Sequence, residues 1–178
     1  MNIQTFPVIK TERLTLREIK ESDSDVILYL RSDKLINKFI NRPEKRRTKS
    51  ISDAVNHIKK LNAETKNNKS FSWGITLNDN PEIIGTICLW NFSKDYKTAE
   101  VGYDLNPKFQ KKGIMSESLK SVVNFGFIEL CVDRIEARTH IQNENSKNLL
   151  VKNGFSIIED RNDNDDLSNV VFEIRKPK

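Results

Sequence analysis

Two lysines and a glycine, Lys111, Lys112 and Gly113, sit inside LNPKFQKKGIMSESL, residues 105 to 119, at the point where helical spacing begins. The first-turn N–H groups of a helix lack intrahelical partners, and with the helix dipole they favour a phosphate at that end. Gly113 lets a ligand approach the backbone closely, and the lysines add charge beside it. The chemistry suggested is the holding of a phosphorylated ligand. Further along, NENSKNLL starts a second helix with a polar N-terminus.

Other residues with reactive side chains offer less. Cys88 and Cys131 are far apart and flanked by apolar residues, so they read as buried free thiols rather than a disulfide or a metal pair. His57 lies among lysines on a predicted surface helix. His140, near a strand end, has no acid at a recognisable spacing, so neither histidine is taken as a general base. No cluster of His, Cys, Asp or Glu suggests a metal.

The elements that must position these residues follow from composition and periodicity. The chain has 178 residues, a formal charge of +5 and 37% hydrophobic residues, which describes a single domain over 1–178 able to bury its own core. MNIQTFPVIKTE lacks an apolar signal region, and no apolar run approaches the roughly 18 residues needed to span a bilayer. No membrane partner is expected, and a reducing cytoplasm is the expected location.

RLTLREI (13 to 19) alternates as a half-buried strand, and Ser22 and Asp23 then open a first helix. From Lys34 to Lys69 eleven Lys or Arg stand against three acids, around a helix with Ile51, Val55, Ile58 and Leu61 on one stripe. FSWGITL (71 to 77) and EIIGTICLW (82 to 90) form a predicted antiparallel hairpin, extended by TAEVGYDL (98 to 105). Met115, Leu119, Val122, Val123 and Phe127 mark the inner face of a long helix running to about Leu130. RIEARTHI, a short helix closed by Gly154, FSIIED and SNVVFEI complete the chain, and the acidic run EDRNDNDD (159 to 166) reads as the turn of the last hairpin. The order predicts an α/β fold with a mixed, partly antiparallel central sheet of about seven strands flanked by about four helices.

The residues at these positions resemble a known family. Gln110-Lys111-Lys112-Gly113-Ile114-Met115 is similar to the pyrophosphate loop Q/R-x-x-G-x-G/A of the GCN5-related N-acetyltransferases (GNAT), with Met115 in place of the small residue. Glu100-Val101-Gly102-Tyr103 matches the Glu-x-Gly-Tyr element that precedes that loop. Asn143-Glu144-Asn145-Ser146 followed by LLVKNGF resembles the N-x-x-S…K-x-GF signature of the Rim-type branch, which acetylates N-termini of ribosomal proteins, and RLTLRE matches its opening strand.

The resemblance implies acetyl-CoA as co-substrate, held where two parallel strands ending near Leu105 and Ile141 splay apart. Its pyrophosphate would take the N–H groups of Gln110 to Met115, and its amide-rich arm would pair with the backbone of Tyr103, Asp104 and Leu105, with Asn143 beside it. Glu100 is the candidate base for the acceptor amine. Ser146 is the candidate donor to the departing thiolate, and it is equally well placed to cap its helix. A backbone N–H near Tyr103 or Asp104 would serve the oxyanion. Because neither cysteine has an activating basic setting, direct transfer in a ternary complex is expected.

The acceptor implied is a primary amine, preferably the α-amino group of a protein N-terminus. The alternatives are a small amine such as a polyamine or antibiotic, and a non-catalytic acyl-CoA-binding module. The basic 34–69 segment lacks the aromatic interleaving of a nucleic-acid surface, so no nucleic-acid partner is expected. A monomer or homodimer is the expected assembly.

Overall fold

A computed structural model describes residues 3–40, 42–162 and 166–177. Its strands and helices run β1 (Ile9–Lys10), β2 (Leu14–Arg17), α1 (Ser24–Ser32), α2 (Ile51–Lys66), β3 (Phe71–Leu77), β4 (Asn80–Trp90), β5 (Thr98–Leu105), α3 (Ile114–Ile128), β6 (Arg134–His140), α4 (Glu144–Lys152), β7 (Ser156–Asn162) and β8 (Asn169–Arg175). They build an α/β fold with one mixed sheet in the order β1-β2-β3-β4-β5-β6-β8-β7. Eight strands replace the expected seven, because a two-residue β1 is too short to leave an alternation in the sequence.

Every neighbouring pair is antiparallel except β5 and β6. A parallel neighbour requires a crossover, and α3 supplies it. Its inner residues Leu119, Val122 and Val123 join Phe71, Trp73 and Ile75 of β3 and Ile87 and Leu89 of β4 in the larger core. Strand alternation sends Ser72, Thr76, Thr86 and Cys88 to the other face, where α1 and α2 bury a smaller cluster of Ile27, Leu30, Ala54, Ile58 and Ile83.

The expected stripe on α2 faces the smaller cluster, where Ile58 and Ala54 are buried and Leu61 packs against them. Ile51, in the first turn, is exposed. Ser50 caps the helix by accepting from the Asp53 N–H at 3.2 Å, while the Asp53 carboxylate accepts from the Ser50 N–H at 3.0 Å.

Cys131 also departs from expectation. It adopts a left-handed conformation (φ 55°) in the turn after α3 and is exposed, while its neighbours Leu130 and Val132 turn inward. Residues 163–165 of the acidic run lie outside the described residues, and β7 and β8 pair antiparallel on either side of it. Among the described residues no helix is long and apolar enough to cross a membrane.

Candidate active site

β5 and β6 pair only over Thr98–Glu100 with Arg134–Glu136, after which they separate. The hydrogen-bond alternation of an antiparallel ladder shows what this leaves open. The Asn106 N–H bonds the Ile84 carbonyl, and β4 and β5 keep one register through Gly85↔Leu105 to Trp90↔Glu100. Backbone groups of Gly102 and Asp104 therefore point to β4, while those of Val101, Tyr103 and Leu105 point toward β6. The Gln110 side chain takes up the Leu105 carbonyl at 3.1 Å. Tyr103 is thus the residue whose N–H and C=O edge faces the widening gap, and of the two oxyanion donors expected near this point the ladder favours Tyr103 over Asp104.

The gap opens into a cleft of about 1080 Å³ that includes Tyr103, Asp104, Leu105, Gln110, Lys111 and Gly113 in its wall. Ile114 and Met115, which begin α3, also line it, and Lys112 stands between them and Lys111 with its ammonium 5.5 Å from the Phe109 ring centre. Lys111 (φ 59°) and Gly113 (φ 77°) are both left-handed, and Gly113 caps α3. Such a succession of turned residues leaves neighbouring N–H groups converging on one point, as an anion requires.

An anchor holds this loop that the sequence did not reveal. Arg13, just before β2, donates to the Lys112 carbonyl at 3.0 Å and to the Glu117 carboxylate at 2.7 Å, and Thr11 donates to the same carboxylate at 2.5 Å. With the Lys112 carbonyl drawn outward, the loop amides stay turned toward the cleft. Nothing in the RLTLRE motif marks this contact, because it spans about a hundred residues of chain.

At the inner end of the cleft the Tyr103 hydroxyl lies 2.9 Å from that of Ser146. Burial pushes the phenol up to about 12, so it is protonated at neutral pH. The cap of α4 is not Ser146 but Asn143, whose Oδ1 accepts the Ser146 N–H at 3.2 Å. Ser146 therefore stands in the first turn with its hydroxyl directed to Tyr103. Asn143 borders the cleft as well.

On the opposite face of β5 lie Glu100, Gly102 and Asp104. Gly102 stands between the two acids on the cleft wall, and the space a Cβ would take there is already approached by the Cys88 Sγ at 3.3 Å and the Trp90 Nε1 at 3.7 Å. Glu100 is 8% exposed, and its Oε2 accepts from Arg138 and from the Asn91 amide. Asp104 accepts from the Thr86 hydroxyl at 2.8 Å and has Arg42 at 3.8 Å, and burial raises its pKa. Burial pushes the Cys88 thiol up to about 12, which leaves it without nucleophilic thiolate.

One wall of the cleft is formed by Leu35, Ile36, Phe39 and Ile40, from the segment after α1. Phe39 stacks on His140 at 5.3 Å, and the His140 Nδ1 accepts the Gln142 N–H, so this ring is a structural element of the wall. His57 is not on a solvated face. It is half-buried, and burial together with Arg31, Arg42 and Lys60 pushes it down to about 3. Among the described residues no group of three His, Cys, Asp or Glu could hold a metal.

Comparison with known proteins agrees with this geometry. The model of the acetyltransferase (GNAT) domain family matches residues 13–156. The chain is 33% identical over 150 residues to the uncharacterized N-acetyltransferase YoaA of Bacillus subtilis (strain 168), covering 84% of this chain and 83% of that protein. Its fold superposes with a TM-score of 0.80, at 20% identity, on RimL, a ribosomal L7/L12 alpha-N-protein acetyltransferase solved in complex with coenzyme A, covering 95% and 98% of the two chains. Ribosomal-protein-S5-alanine acetyltransferase from Vibrio fischeri superposes with a TM-score of 0.79 at 21% identity, covering 96% and 100%. The chain belongs to the GNAT family and is an acetyl-CoA-dependent N-acetyltransferase.

Proposed function

We propose that the protein acetylates the α-amino group of a protein N-terminus, by direct attack within a ternary complex. The observation that carries this reading is the two-sided splay. The edge of Tyr103 and the 110–115 loop serve a donor arm on one side, and the stretch of cleft wall formed by Glu100, Gly102 and Asp104 serves an amine on the other. The solved neighbours named above, which act on ribosomal proteins, support the acceptor class.

Acetyl-CoA supplies an acyl thioester when bound. The loop amides of Gln110 to Met115, with Lys111 and Lys112, suit its pyrophosphate, and the backbone edge of Tyr103 suits the amide-rich arm as an added strand, while the backbone of Asp104 is engaged by β4 and the Leu105 carbonyl by Gln110. Asn143 borders that arm. The Tyr103 N–H, aimed into the gap, is the donor for the developing oxyanion.

An α-amine has a pKa of roughly 7.7 to 8.0, so only modest help is needed to deprotonate it at neutral pH. Glu100 gives that help through water. Both of its described side-chain bonds end on Oε2, which leaves Oε1 for the incoming proton. Ser146 returns a proton to the departing thiolate, and the Tyr103 phenol replenishes it across their 2.9 Å contact. With the Cys88 thiol protonated, an acetyl-cysteine intermediate is disfavoured.

The test is release of free CoA thiol from acetyl-CoA with peptides bearing free Ser, Ala or Met N-termini, a lysine-only peptide with a blocked N-terminus, spermidine and an aminoglycoside. Release confined to free N-termini is the expected result. Release with the small amines alone would replace the acceptor class.

A further inference from the structure

Behind the wall of Leu35, Ile36, Phe39 and Ile40, the basic segment linking α1 to α2 folds around a second cavity of about 460 Å³. Its charged lining is Arg31, Lys34, Arg42, Arg47 and Lys49, with no acid among the described lining residues. Ile40 borders both this cavity and the main cleft, so the two adjoin. The charges differ in how they are compensated. Arg47 and Lys49 share Glu44 at the exposed rim. Arg31 and Arg42 reach inward instead.

Arg31 is held by neutral groups, with its Nε donating to the Thr48 hydroxyl at 2.8 Å and its Nη2 to the Arg46 carbonyl at 2.9 Å. Arg42 has one carboxylate within reach, Asp104, at 3.8 Å. Two guanidinium groups therefore share a single buried acid, and His57, which burial and both of their charges keep neutral at physiological pH, adds no compensating charge. Burial and the Arg42 charge push Arg31 down to about 10, and burial depresses Arg42 as well. A surplus cation in so dry a place is costly unless an anion meets it.

We propose that this cavity is an anion subsite of the acceptor site, receiving the carboxylate of an acidic side chain at the second or third position of the acceptor peptide. The proposal rests on the reading that a peptide α-amine is the acceptor. The reach fits. Gly102, beside which the proposed reading puts the amine, lies two residues from Asp104 on β5, about 7 Å at strand rise, and the Arg42 guanidinium is 3.8 Å from the Asp104 carboxylate. An extended peptide advances about 3.3–3.6 Å per residue, so its second or third side chain arrives at the guanidinium groups. The same surplus charge repels spermidine and aminoglycosides.

The experiment compares initial rates at saturating acetyl-CoA for a peptide beginning Ser-Glu-Glu, its Ser-Gln-Gln counterpart and a Ser-Lys-Lys counterpart, using the wild-type chain, Arg42→Gln and Lys34→Gln. The expected result is a KM about tenfold lower for the Glu peptide than for the Gln peptide, shrinking with added salt and in Arg42→Gln, with acetyl-CoA affinity unchanged. Lys34 is an exposed rim residue, so its variant keeps the fold intact and loses part of the preference. Equal KM values for the Glu and Gln peptides, or a preference that survives both substitutions, would overturn the subsite.

Failure of the α-amine reading gives a different signature, no turnover with any peptide. The subsite is then read by fluorescence anisotropy of a labelled N-acetyl-Ser-Glu-Glu peptide with saturating CoA. Binding about tenfold weaker in Arg42→Gln, and weaker in Lys34→Gln, supports it. Equal affinity across the three proteins, or no binding to the wild type, overturns it.

Discussion

The Tyr103 hydroxyl on β5 and the Ser146 hydroxyl on α4 meet at 2.9 Å across the gap where the sheet opens. The contact joins the strand edge that suits the donor arm to the first turn of the helix beyond it. Because burial pushes the phenol up to about 12, Tyr103 stays protonated through neutral pH, as the proposed proton return through Ser146 requires.

Ser146→Ala is expected to lower kcat about 10- to 100-fold, in line with the loss of a general acid, while acetyl-CoA affinity changes by less than about threefold. Tyr103→Phe keeps the ring and should cost less. Steady-state thiol release together with calorimetric CoA binding separates the two effects. Equal losses of kcat and affinity in Ser146→Ala would make the serine a binding residue only.

Gly113→Val places a β-branched side chain at φ 77° with its Cβ 3.3 Å from the Arg13 guanidinium. The left-handed conformation alone costs about 1–2 kcal/mol. The substitution also pushes on the arginine that holds the Lys112 carbonyl, so acetyl-CoA affinity should fall by more than about tenfold. Calorimetry reads this directly, and unchanged affinity would remove the 110–115 loop from the phosphate site.

Glu100→Gln should lower turnover at neutral pH more than it lowers CoA affinity, and the rate should recover as pH rises past about 8, where an α-amine deprotonates by itself. A pH–rate profile of both proteins checks this. A deficit constant with pH would mean that Glu100 serves only to hold Arg138 and Asn91.

His57 should make the fold acid-sensitive. Its folded-state pKa of about 3 lies below the ordinary 6.5, because of burial and the charges of Arg31, Arg42 and Lys60. Between those values the unfolded chain binds a proton on this side chain that the folded chain does not, so stability drops as pH falls through that window. His57→Gln removes the difference. Chemical denaturation between pH 7 and pH 4 should show a shallower loss of stability in the variant than in the wild type, and parallel curves would show that His57 does not titrate in this way.

Much of the architecture was legible in the chain, because its causes are local. Period-two alternation in RLTLREI, the strand-forming runs FSWGITL and EIIGTICLW, the helical stripe from Met115 to Phe127, and Gly154 after LLVKN (φ 85°) each place an element without reference to the rest of the molecule. The glycine-capped start of α3 was legible for the same reason, since a glycine with flanking lysines before a helical stripe is a property of neighbouring residues. Ile51 is exposed because it sits in the first turn of α2, at the end of its stripe, and Cys131 because a left-handed turn interrupts the apolar pattern around it.

By itself the sequence determined the order of elements, a mixed sheet that is partly antiparallel and partly joined by helices, and the glycine-led start of the long helix. Tertiary structure alone decided what meets across the sheet: Tyr103 with Ser146, Arg13 with the Lys112 carbonyl, Glu100 with Arg138, and Arg31 and Arg42 around Asp104. Local spacing constrains residues a few positions apart, whereas these contacts span tens of residues and exist only once β5 and β6 separate and α1 and α2 close over the opposite face.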